Sequence, residues 1–99
     1  MKITELIIRK TDAADLDVSW RLSDGDQSSY DLFLIQEGSI VERVRMSTDS
    51  MKCTLHTITR PMKEYALLLT VRSGRLLSSV LAPFCAQKDA ALYQCISYD

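Results

Sequence analysis

One histidine, three glycines in three separate turns and no apolar run of about eighteen residues together remove several function classes. Without such a run, no helix of this chain spans a bilayer. With His56 alone, a nucleophilic serine or cysteine has a single imidazole to draw on, and a structural zinc site would need four ligands. Gly25, Gly38 and Gly74 never cluster, so no glycine-rich loop is present to cradle a phosphate. Charge of one sign is missing as well. Twelve basic against thirteen acidic residues leave a net charge of −1, and the lysines and arginines are scattered, so no broad field recruits nucleic acid or an anionic membrane.

Cysteine is sparse and odd in number. Cys53, Cys85 and Cys95 have no tight spacing, so they read neither as a disulfide framework nor as a zinc knuckle. The expectation is free thiols in a reducing compartment, with a Cys85–Cys95 bridge as the alternative. The opening Met1-Lys2-Ile3-Thr4-Glu5 has no apolar core and no small-residue cleavage site, which leaves a cytosolic chain or one whose leader has been removed. The odd thiol count and the missing leader lean toward the cytoplasm.

What is present is alternation. Ninety-nine residues with 46% apolar and 25% charged side chains suffice for one folded domain. Leu16, Val18 and Trp20 share one face of a strand, as do Tyr65, Leu67, Leu69 and Val71 on another. Apolar runs recur with turn signals every 8 to 14 residues, the rhythm of an all-β sandwich. The spacing predicts strands over 3–9, 15–22, 29–36, 40–46, 51–59, 64–72 and 76–82. Ser23 to Ser28, which contains no apolar residue, reads as a solvated loop, and Glu37-Gly38-Ser39 and Ser73-Gly74-Arg75 as hairpin turns. Pro83 cannot donate to a ladder and belongs at a strand edge or end. Residues 89–99 are ambiguous: Asp89 capping a short helix that gathers Leu92, Cys95 and Ile96, or an extended strand over 92–98. The pattern leans to a helix or irregular tail.

These motifs resemble a fibronectin type III domain. Leu16-x-Val18-x-Trp20 is similar to the family's second strand, Tyr30-x-Leu32-x-Leu34 to its third, and Tyr65-x-Leu67-x-Leu69-x-Val71, with Pro61 four residues ahead, to its sixth. Gly74 and Ser78-Ser79 stand where the family turns into its last strand. The resemblance covers residues 1–86 and implies a two-sheet antiparallel sandwich of about seven strands, with 87–99 as a C-terminal extension. A tyrosine at the start of the sixth strand would bury its ring while its hydroxyl bonds to backbone a few residues upstream. Two positions depart from the pattern. Thr59, with Ile58 beside it, replaces the leucine expected six residues before Tyr65, and no proline lies near the first strand.

No constellation of reactive residues reaches a catalytic pattern. Asp24-x-Asp26-x-Ser28 alternates oxygen donors as a calcium loop does, but three donors fall short of the six or more that the ion takes. Cys53 and His56, three apart on a strand, point to opposite faces. Ser78 and Ser79 have no neighbouring base, and Asp15 and Asp17 read as surface charge on one strand. The chain is therefore expected to be no enzyme and to need no cofactor or metal.

The faces turned away from the core are more informative. Phe33, Ile35, Val41 and Leu68 fall opposite the core residues of their strands. If those strands share a sheet, the four make an exposed apolar patch with Arg43 and Arg45 as its polar rim. Two outcomes are open: the C-terminal tail, with Leu92, Tyr93 and Ile96, folds over the patch, or a partner does. The expected function is a protein-interaction or spacer module that docks through this face to another protein, a neighbouring domain of the same polypeptide or a second copy. The alternative is an accessory N-terminal domain of a larger bacterial-type enzyme, glycan-related by family association alone. Carbohydrate binding would rest on Tyr93 and Tyr98 only, and neither nucleic acid nor membrane is expected as a partner.

Overall fold

The computed structural model of the chain describes residues 1–11, 15–56, 62–86 and 92–97. Their regular structure is all strand: β1 (Ile3–Lys10), β2 (Leu16–Leu22), β3 (Ser29–Gln36), β4 (Ser39–Met46), β5 (Lys52–Leu55), β6 (Glu64–Ser73), β7 (Leu76–Cys85) and β8 (Leu92–Ser97). They form two antiparallel four-stranded sheets, β5-β2-β1-β8 and β4-β3-β6-β7. Period-two alternation sets the inner faces. Leu16, Val18 and Trp20 of β2 meet Tyr30, Leu32 and Leu34 of β3 and Tyr65, Leu67, Leu69 and Val71 of β6 in one core. In β1 the alternation slips: Ile3 and Leu6, three apart, are both buried because the register shifts between Ile3 and Glu5.

Aromatic contacts hold the sandwich at two levels. Trp20 meets Tyr30 edge to face with centroids 4.9 Å apart. Toward the other end, Tyr65, Phe84 and Tyr93 stack in series at 5.5 Å and 5.8 Å. Ile58 and Thr59 lie outside the described residues. The fifth strand, expected over 51–59, is described as Lys52–Leu55.

The β3–β4 connection is a two-residue turn in which Glu37 and Gly38 both have positive φ, 52° and 79°. That combination gives the twist a tight hairpin needs, and Gly38 adopts it without the strain a side chain adds.

Two expectations need correction. The seventh strand does not stop at Ala82 but runs through Pro83 to Cys85, with Pro83 opposite Ala66. It can do so because β7 is the edge of its sheet, so the missing N–H costs no ladder bond to a further strand. The C-terminal stretch is not a helix or irregular tail. Leu92–Ser97 pairs antiparallel with β1, using the backbone groups that β1 would otherwise leave open at a sheet edge. Tyr93 adds its ring to Phe84, and the Gln94 side-chain amide donates to the Pro83 carbonyl at 2.9 Å. Asp89, the expected helix cap, lies outside the described residues. Because β8 belongs to the sheet opposite β3 and β6, it does not cover the patch around Phe33.

Candidate interaction surface

Strand register assembles the outward residues of β4-β3-β6-β7 into rows. Arg43, Phe33, Leu68 and Leu81 form the central row. Below it lie Ile40, Ile35, Ala66 and Pro83, and above it Arg45, Asp31, Thr70 and Ser79. Beyond these, Ser29, Arg72 and Leu77 occupy the upper end, and Glu64 opens β6 at the lower end.

All six residues anticipated from sequence lie on this face or its β4 margin. Phe33 and Leu68 are direct partners, and Arg43 places its guanidinium 5.2 Å from the Phe33 ring centroid, within cation–π range. Ile35 lies one row down, opposite Ile40. The register shift between Leu34 and Ile35 leaves Val41 next to Ile40, with both exposed. Arg45 bonds Asp31 through Nε at 2.7 Å, which supplies a counter-charge to a carboxylate that the sheet has largely buried. Thr70 and Ser79 share a 2.9 Å hydrogen bond in the same row.

Sequence reasoning missed Leu81, which is 59% exposed, and with it Ile40, Ala66 and Pro83. The signal for Leu81 was its place between the inward Val80 and Ala82. Only the pairing of β7 with β6 shows that it extends the Phe33–Leu68 row. A groove of about 580 Å³ opens at the lower end, lined by Ile35, Glu37, Glu64, Ala66, Pro83 and Tyr93 among others. The outer face of the other sheet differs in chemistry. There a groove of about 560 Å³ is lined by the polar Arg9, Asp17, Ser19, Ser50, Lys52 and Thr54 together with Val18 and Cys53.

The candidate ligand sets of the sequence are engaged elsewhere. Asp24 accepts from the Ser23 hydroxyl at 2.8 Å and lies 3.4 Å from the Met1 amine, and these contacts lower its pKa in that order. Ser28 donates to the Arg72 carbonyl at 3.1 Å. His56 Nδ1 stands 3.1 Å from Asp15, and Thr54 donates to Asp17 at 2.7 Å, so neither aspartate is simply solvated charge. Cys53, Cys85 and Cys95 are all free thiols.

Between β3 and β5, burial and a hydrogen bond to Cys53 push the Tyr30 phenol far above its ordinary 10.0. Burial also raises the Cys53 thiol above 9.0; the Glu42 and Asp17 charges add to this, against a lowering hydrogen bond from Tyr30. Both groups are neutral in either state below those ordinary values, so their contribution is intact there. Above them the unfolded chain ionises first and stability falls as pH climbs toward the folded values. The urea midpoint is therefore expected to drop between about pH 9 and pH 11, and to drop less in Tyr30→Phe. Equal drops in the two proteins would remove Tyr30 from this account.

No protein-family model matches the chain. Among solved structures, it is similar to domains d3-d4 of the rat CD45 extracellular region, with a TM-score of 0.65 and 17% sequence identity. The match covers 83% of this chain and 47% of that one, so the chain spans about half the length of the structure it resembles. Identity at that level speaks to architecture alone. Together with the β4-β3-β6-β7 and β5-β2-β1-β8 sheets, it shows the fold to be a two-sheet antiparallel β-sandwich, the architecture that the resemblance implied, with β8 added beside β1.

Proposed function

We propose that this sandwich is a non-catalytic protein-interaction module that docks through the outer face of β4-β3-β6-β7. Its apolar contact is formed by Phe33, Ile35, Val41 and Leu68, with Arg43 and Arg45 at the rim. In this reading residues 1–86 form the module, and the extension after them contributes β8 as a seal on the β1 edge. The observation that carries the proposal is the row Phe33–Leu68–Leu81, which ends in a leucine more than half exposed and continues into Ile40 and Pro83. Contiguous apolar surface of this kind on a small domain marks an interface, whereas scattered exposed leucines do not. Aromatic and arginine side chains at the centre, a fixed ion pair and a hydroxyl pair beside them match the composition of interface cores and rims.

The partner is another protein or a neighbouring domain of the same polypeptide. A photoreactive amino acid at Leu81 is expected to crosslink it in cells that make the protein, while the same group at Asp17, on the opposite face, stays unlinked. Phe33→Ser combined with Leu68→Ser should abolish the Leu81 crosslink and leave the far-UV circular dichroism unchanged. Crosslinks that form at Asp17 alone, or that survive both serines, would show that the docking surface is elsewhere.

A further inference from the structure

We infer that the occupant of this face is a second copy of the same chain, packed across a two-fold axis that crosses the strands at Leu68. The inference rests on the docking reading above and adds the identity of the partner. Its basis is the order of charges along β6. The outward residues of that strand run Glu64, Ala66, Leu68, Thr70, Arg72, with the acid and the base four positions either side of the leucine. At the acidic end Glu37 lies in the β3–β4 turn; at the other end Arg45 is neutralised by Asp31, which leaves Arg72 as the unpaired base there. Lys63, at the acidic end, precedes β6 and falls out of the outward alternation. Neither Glu37, Glu64 nor Arg72 makes an ion pair among the described residues.

A face with an unpaired acid at one end, an unpaired base at the other and an apolar centre is its own complement after half a turn. Rotation about an axis in the plane between two such faces, perpendicular to the strands, lays Leu68 over its symmetry mate. It also brings Glu64 of each copy to Arg72 of the partner subunit, the self-complementarity that a two-fold interface requires. Aligned sheets pack about 30° apart, which splays the β4 margins and separates the two Arg43 side chains, each of which already caps its own Phe33. A partner of single charge sign would satisfy one end of the face and oppose the other.

Area sets the strength. Four strands about 4.8 Å apart, with eight residues of each spanning about 27 Å, present roughly 500 Å² of flat footprint. Stable complexes bury about 800 Å² per partner, so the association is expected to be weak, in the micromolar range or above.

The test is the mass of the chain by sedimentation velocity and light scattering from micromolar to millimolar concentration. The expected result is a rise from 11.2 kDa toward twice that value. Glu64→Arg and Arg72→Glu should each weaken dimerisation by about tenfold or more. An equimolar mixture of the two single variants, in which every pair is again of opposite sign, should associate to within about threefold of the original. The double variant in one chain should do the same, and circular dichroism reports that each variant is folded. A constant 11.2 kDa, or charge reversals that the mixture and the double variant fail to rescue, overturns the inference. A monomeric chain whose Leu81 still crosslinks to a different protein discards the second copy and keeps the docking face. A monomer with no crosslink discards both.

Discussion

Trp20→Ala is expected to cost about 3–5 kcal/mol, the largest effect of any single truncation considered for this chain. The ring is buried between the sheets and meets Tyr30 edge to face at 4.9 Å, so its removal opens a cavity lined by both sheets. A domain of this length is stable by roughly 5–15 kcal/mol in total, and each kcal/mol is worth about 4–8 °C in Tm. The variant should therefore melt at least about 12 °C lower and could be largely unfolded at physiological temperature. Because the change removes the only tryptophan, unfolding must be followed by circular dichroism. Trp20→Phe, which keeps an aromatic ring beside Tyr30 but gives up the indole N–H, should fall between the two. A loss below about 1 kcal/mol in the alanine variant would contradict the burial described for this ring.

Gln27→Leu should cost about 3 kcal/mol, although Gln27 lies in a loop. Its carboxamide is a buried junction. Oε1 accepts the Trp20 indole N–H at 2.8 Å, and Nε2 donates to the Thr48 and Ser50 carbonyls at 2.9 Å and 2.8 Å. Leucine fills the space but strands one donor and two acceptors, each at about 1 kcal/mol because the carbonyls are only partly buried. The same bonds tie the β2–β3 loop to the β4–β5 loop, where the Trp20 backbone N–H donates to the Met51 carbonyl at 3.0 Å. Urea unfolding gives the stability, and hydrogen exchange at residues 48–52 should accelerate in the variant. A change below about 0.5 kcal/mol with unaltered exchange would show that water replaces the carboxamide without cost.

The two residues differ sharply in how visible they were. Trp20 announces itself through Leu16-x-Val18-x-Trp20, because alternation on a strand is local and an aromatic at the end of an apolar face points inward. Gln27 sits in Ser23-Asp24-Gly25-Asp26-Gln27-Ser28, a stretch with every mark of a solvated turn. Nothing in that stretch shows that Thr48 and Ser50, more than twenty positions away, would bring their carbonyls to it. The interaction face divides in the same way. Phe33, Ile35 and Leu68 were legible as outward residues of their strands. Leu81 and Pro83 joined them only through the pairing of β6 with β7.

The C-terminal strand marks the limit of local reading. Leu92–Ser97 carries too few alternating positions to separate a strand from a short helix, and its choice depends on the open edge of β1, some ninety residues earlier. Once seated there, it cannot act as a cover for Phe33 and Leu68.

Period-two alternation, turn residues and aromatic placement determined, from the sequence, that this is a two-sheet β-sandwich and which side of most strands faces inward. Each of those features acts over a few neighbouring residues. Tertiary structure decided the burial of Gln27, the passage of β7 through Pro83, the pairing of β8 with β1 and the rows that place Glu64 and Arg72 at opposite ends of one apolar face. Those outcomes depend on which strands lie side by side, and that choice is made by long-range packing in which every strand competes for every open edge.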